Sequence, residues 1–347
     1  MRSTATIACL MLITLLSARA AAGEAPAPAA DWEKRVAALE KRLDAATLER
    51  DALLKKVDDL LWFQRVGDVA DIDKVYLIGP PNPRAKEIYG IGNERHPLKF
   101  WTYVFVPRKA DRSKKMPLIL LPHGGVHADF DTYYTHVVRE FMERGYVVVA
   151  PEYRGSTGYG KDYQEAIDYG GLEVDDVVAA RDWAVETLPS VDGGRVGIAG
   201  WSHGGLIALL AVFDHPEKFQ VAYAGVPVSD LVLRMGYLDD EYRKEFSAPY
   251  HIGKTAYDAV DEYRRRSPAW NAGKLKTPLL IHTTTNDRDV NVAEVEHLIQ
   301  ALKAEGKDFE HRIYKDAPGG HSFNRIDTPF ARESRREIYE FLARHLR

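Results

Sequence analysis

Two different periods of apolar residues divide this chain. Val36, Leu39, Leu43, Ala46, Leu53, Val57 and Leu60 recur in alternating steps of three and four, with charges between them. This heptad spacing predicts a long helix over residues 31–66. Arg50 occupies a stripe position and weakens the seam. A stripe of this kind needs a partner. Either a second copy pairs through residues 31–64 as a coiled coil, or the helix packs on the domain that follows.

From about residue 68 the period changes. Lys99–Val106 alternates and is aromatic-rich, as a strand would be, and Leu118–Leu121 and Tyr146–Ala150 are short buried-strand runs. Helices are expected over 132–144, 173–187, 203–214, 292–304 and 331–345. Further strands are expected at 195–199, 221–225, 279–282 and 309–314. Strand and helix alternate across 67–347, so a mostly parallel sheet covered on both faces is expected. Residues 228–270 interrupt the alternation with helix-prone, tyrosine-rich sequence and could cap a pocket. No 20–50-residue repeat suggests a propeller or solenoid.

Ahead of the heptads, Arg2 and the short apolar run Ile7–Leu16 precede Ala18-Arg19-Ala20 and Ala20-Ala21-Ala22. Residues 1–22 therefore read as an export signal with small-x-small cleavage sites, or as an uncleaved anchor, and the Ala- and Pro-rich residues 23–30 as a linker. The expected location is secreted or periplasmic. The single cysteine, Cys9, lies in that leader, so no disulfide is expected in the mature chain. With 45% hydrophobic and 28% charged residues and a formal net charge of −4 over 347 residues, the composition is globular and gives no electrostatic reason to expect nucleic acid.

The chemistry gathers at loops after predicted strands. Gly200-Trp201-Ser202-His203-Gly204 matches G-x-S-x-G between a strand and a helix, the context of a nucleophile elbow. Serine needs a base, and in this order an acid and then a histidine should follow. Asp287 or Asp289, in the loop after the strand ending at His282, supplies the acid, with Asp287 favoured because it comes first. His321, preceded by Gly319 and Gly320, supplies the base. The backbone N–H of His203 and one from His123-Gly124-Gly125 would form the oxyanion hole. His123, His127 and Asp129 share a loop, but no further ligand cluster is visible, and neither metal nor cofactor is expected.

These strings carry a resemblance. His123-Gly124-Gly125, Pro151-Glu152-Tyr153-Arg154-Gly155-Ser156-Thr157-Gly158-Tyr159-Gly160, Gly200–Gly205, Ser267-Pro268, Asp287 with Val290, and Gly320-His321 follow one another as in the prolyl oligopeptidase family of serine peptidases. Over residues 95–347 the chain resembles that family's catalytic domain. The resemblance implies an α/β-hydrolase fold with Ser202, Asp287 and His321 as the triad. It also implies a substrate pocket involving His123, Tyr153, Val228, Leu231, Arg234, Leu238 and Arg288. Three features depart from the family pattern. The N-terminal stretch looks helical where larger members carry a β-propeller, Asp289 stands where prolyl-specific members have an arginine, and His123 stands where many have a tyrosine. The expected activity is acyl transfer from short peptides to water through Ser202. A carboxylesterase acting on small or carbohydrate-linked esters is the alternative, and an inactive coiled-coil scaffold a third reading.

Overall fold

The computed structural model describes residues 29–81, 98–111 and 113–347. The expected export signal and most of the linker lie outside these residues. The chain divides into two compact units, residues 1–50 and 51–347. Helix α1, Ala29–Val66, runs through both, starting two residues earlier than the heptads predict.

In the larger unit one sheet organises everything. It contains β1 (Ala70–Ile78), β2 (Lys99–Pro107), β3 (Met116–Leu120), β4 (Val147–Pro151), β5 (Val191–Trp201), β6 (Val221–Gly225), β7 (Leu279–Thr284) and β8 (Glu310–Tyr314). The spatial order is β1-β2-β4-β3-β5-β6-β7-β8. β1 and β2 pair antiparallel in continuous register from Ala70↔Pro107 to Ile78↔Lys99, and β2 joins β4 antiparallel. All later pairings are parallel. β1 was not foreseen as a strand. It lies at the sheet edge, where half-exposed residues blur the apolar signal.

Helices cover both faces, as the alternation predicts. The end of α1, α2 (Thr135–Glu143) and the C-terminal helix Pro329–His345 bury Trp62, Val66, Val137, Phe141, Ile338 and Leu342 on one face. Helices α3 (Leu172–Thr187), α4 (His203–Asp214) and Val292–Ala304 bury Val177, Leu206, Leu209, Val295 and Leu298 on the other. Every residue of α4 from His203 to Phe213 is buried, so its sequence is apolar all round rather than on one stripe. α2 is shorter than expected, because Thr132–Tyr134 form a 3-10 turn capped by Asp131. The interruption at 228–270 contains helices α5 (Leu231–Tyr237), α6 (Asp240–Ser247) and α7 (Val260–Arg265). No described helix is long and apolar enough to cross a membrane.

The last turns of α1 dock with residues off the heptad stripe. Trp62 is fully buried and stacks on Phe130 with centroids 5.3 Å apart. Lys55 reaches Asp129 at 2.7 Å and Glu152 at 2.5 Å. Stripe residues Leu53 and Leu60 stay 62% and 71% exposed. The packed-helix reading therefore holds for this end of the helix, but on a face the heptad pattern did not indicate.

Candidate active site

β5 delivers Ser202 into a sharp turn. Its φ of 59° and ψ of −121° lie in a region costly for a residue with a Cβ. Neighbouring backbone holds it there. Ser202 N–H donates to Gly225 O at 2.9 Å, and Ser202 O accepts from Leu206 at 3.0 Å and Val228 at 3.2 Å. A side chain at Gly204 would collide with the carbonyl oxygen of Pro122. The second glycine of G-x-S-x-G is thus needed because α4 starts against the end of the β3 strand segment. The helix N-terminus beside Ser202 leaves the His203 N–H without an intrahelical acceptor.

The loops after β7 and β8 bring an aspartate and a histidine together. His321 Nδ1 lies 2.7 Å from Asp287 Oδ2. Asp287 Oδ1 accepts from the backbone N–H groups of Asp289 and Val290, each at 2.9 Å. The carboxylate is fully buried and its oxygens are committed, whereas the imidazole is 15% exposed. An imidazole held this way keeps its proton on Nδ1 and leaves Nε2 as an acceptor. Asp289, the alternative acid, is exposed; its backbone N–H donates to Asp287, and its carboxylate, though within 4.8 Å of the Asp287 and His321 ligand atoms, makes no hydrogen bond among the described residues.

Two further residues fix the histidine loop and had no cue in the sequence. Arg325, nearly buried, donates from Nη2 to His321 O at 2.6 Å. Asn324 accepts from Trp201 Nε1 at 2.9 Å and donates to Tyr223 OH at 2.8 Å, tying the loop to β5 and β6. Their signal would have been adjacency to His321, which does not distinguish function from packing.

The His123-Gly124-Gly125 loop lies beside Ser202. A Cβ at Gly124 would stand 3.4 Å from Ser202 Cβ and 2.9 Å from Trp201 O, so only glycine fits that approach comfortably. Gly124 N–H donates to Tyr134 OH at 3.0 Å. Gly125, at φ 76°, keeps its N–H out of hydrogen bonds among the described residues. His123 is fully buried. Its ring stacks on Tyr153 at 4.2 Å and its Nε2 lies 2.8 Å from Ser156 Oγ. Burial pushes its pKa down to about 3, so the ring is neutral.

The Tyr-Arg-Gly-Ser string supports this loop. Arg154 grips Asp176 through Nε at 2.8 Å and Nη2 at 2.7 Å. Tyr153 OH donates to His123 O at 2.9 Å. The expected pocket residues His123, Tyr153, Val228, Leu231 and Arg234 are all buried, with their surfaces committed to packing. Arg234 pairs with Glu294 at 3.0 Å and donates to Asp289 O at 3.0 Å, joining the 228–270 segment to the Asp287 loop. Leu238 is half-buried and Arg288 exposed. The loop residues His123, His127 and Asp129 do not converge on one point: His123 faces Ser156 and Asp129 faces Lys55.

A strained serine between a central parallel strand and a buried helix, with an aspartate–histidine pair on the loops after β7 and β8, defines an α/β-hydrolase site. The family model of the prolyl oligopeptidase family matches residues 132–347, and the chain belongs to that family. It is 31% identical over 231 residues to an uncharacterized peptidase of Bacillus subtilis, covering 66% of this chain and 34% of that protein. It is 30% identical over 234 residues to dipeptidyl aminopeptidase BIII of Pseudoxanthomonas mexicana, covering 65% and 34%. The acylaminoacyl peptidase of Pyrococcus horikoshii shares the fold, with a TM-score of 0.67 at 20% identity over 82% of this chain and 43% of that one. The chain thus spans about a third of the length of these curated relatives.

Proposed function

We propose that the chain is a serine peptidase acting on short peptides, with Ser202 as nucleophile, His321 as general base and Asp287 as its orienting acid. The observation that carries this is the 2.7 Å Asp287–His321 contact on loops flanking the strained Ser202 turn. Ser202 Oγ attacks the scissile carbonyl while its proton passes to His321 Nε2. The oxyanion is met by the N–H groups of His203, at the start of α4, and Gly125, neither of which has another acceptor among the described residues, with Gly124 engaged by Tyr134. His321 then protonates the leaving amine as the C–N bond breaks, and water releases the acyl group by the same route. The names of the relatives, dipeptidyl and acylaminoacyl peptidases, support cleavage near a peptide N-terminus.

The test is a paired kinetic assay with peptide p-nitroanilides and short-chain p-nitrophenyl esters, each with Ser202→Ala as control. Amide cleavage lost in the variant supports a peptidase. Ester cleavage alone makes the protein a carboxylesterase, and activity surviving in Ser202→Ala removes Ser202 from the mechanism.

The same reading includes export through residues 1–22 and self-association through the heptad stripe. The exposure of Leu53, Val57 and Leu60 supports self-association. Leu53→Glu with Leu60→Glu should lower the mass in light scattering without disturbing the catalytic unit. An unchanged mass would sink this part of the proposal.

A further inference from the structure

Beyond the triad, a second cluster joins the oxyanion loop to the 228–270 segment. His127 lies two residues past Gly125, Glu245 lies on α6, and His251 lies in the turn after α6. His127 Nε2 and His251 Nε2 face each other at 3.2 Å. Glu245 Oε1 stands 3.5 Å from the first and 3.8 Å from the second. We infer that His127, Glu245 and His251 form a binding site for Zn²⁺ or a similar borderline divalent ion.

Geometry is the first argument. Ligand atoms about 2.0–2.1 Å from a tetrahedral zinc are separated from one another by roughly 3.3–3.4 Å. The three distances here bracket that edge, and these three ligand atoms lie mutually close. Two imidazoles and one carboxylate form a donor set typical of zinc.

Ligand state is the second argument. His127 Nδ1 lies 3.0 Å from Gly155 O and must donate its hydrogen there. Nε2 of His127 therefore carries a lone pair, directed at the other two ligands. A metal-bound histidine is commonly oriented by such a carbonyl on its second nitrogen.

Rigidity is the third argument. The His251 ring is fully buried against Phe246, with centroids 4.9 Å apart, and near Tyr169, at 6.1 Å. Without a metal, two ring nitrogens this close share at most one hydrogen. A bound cation would take the place of that shared hydrogen, with both nitrogens as ligands, and anchor the Glu245–His251 segment to the loop that carries Gly125. The site would be structural, with no part in acyl transfer.

The test is titration of chelator-stripped full-length Ser202→Ala with Zn²⁺ by calorimetry, and with Co²⁺ by visible absorption. One Zn²⁺ per chain is expected, with the intense visible bands of a four-coordinate Co²⁺ complex. His251→Ala and Glu245→Gln should weaken binding by about 100-fold or more and remove the Co²⁺ bands. His321→Gln should leave both unchanged, which separates this site from the Asp287–His321 pair. Metal-free circular dichroism and melting verify folding, and Glu245→Gln, on a partly exposed helix, serves if His251→Ala does not fold. No saturable binding at one equivalent would overturn the inference. So would binding lost in His321→Gln but retained in the Glu245 and His251 variants. Because Ser202 is absent throughout, failure here is distinct from failure of the peptidase proposal.

Discussion

Two of the carboxylate–histidine pairs near Ser202 have been put to different uses. Asp287 and His321 meet at 2.7 Å, with the imidazole partly open to solvent. Glu152 and His123 lie 3.6 Å apart with both side chains sealed from solvent. The difference lies in their surroundings. Asp287 receives two backbone N–H groups and one imidazole. Glu152 meets the Lys55 ammonium at 2.5 Å and also accepts from Phe130 N–H and Tyr159 OH at 3.2 Å each. Burial pushes the Glu152 pKa up to about 7 against the opposing pull of Lys55. The open pair can pass a proton to a substrate. The sealed pair holds the oxyanion loop against the end of α1.

The comparison breaks most decisively at the open pair. Asp287→Asn should lower kcat by roughly 10⁴-fold with little loss of stability, because the imidazole is left in the wrong tautomer. Steady-state kinetics beside a denaturant melt measures this, and a loss below tenfold would place the acid elsewhere. At the sealed pair the larger effect should be on stability. Lys55→Met leaves Glu152 buried without its cation and should cost about 3–5 kcal/mol in urea unfolding. Adding Glu152→Gln should recover part of that loss. A cost within experimental error of zero would mean that α1 is not part of the catalytic unit's core.

Arg325 tests how the open pair is held. Arg325→Gln removes the bond to His321 O and should lower kcat by up to about 100-fold, with a smaller change in KM. A matching loss from Arg325→Lys would indicate that its two-nitrogen geometry matters, and recovery would assign the effect to charge.

Acid acts through two buried histidines. Burial lowers the pKa values of His123 and His282 to about 3, below the ordinary 6.5. Between pH 6.5 and 3 the unfolded chain binds protons that the folded chain refuses. Stability contributed by the neutral rings is therefore full above 6.5 and declines as pH falls through that window. Melting temperatures across this range should fall steadily, and His282→Gln should flatten the slope. An unchanged slope in that variant would remove His282 from the account.

The sequence alone determined the parallel sheet with helices on both faces, the sharp turn at Ser202, the loop of His321 and the order in which they occur. These are local signals. Apolar period marks strands and helices, and glycines bracket the serine and precede the histidine where backbone must turn tightly. The preference for Asp287 over Asp289 also came from position along the loop, although only the fold shows which carboxylate turns inward. Tertiary structure decided the rest. The face of α1 that packs on the sheet is carried by Lys55 and Trp62, not by its heptad stripe, because burial depends on what the sheet presents opposite. Tyr134, Asn324 and Arg325 reach the site from ordinary sequence. His127, Glu245 and His251 are brought together across more than a hundred residues. A pattern read along one chain records what each segment buries. It cannot record which distant segment is buried against it, and in this protein that pairing positions the histidine loop, the oxyanion loop and the candidate metal ligands.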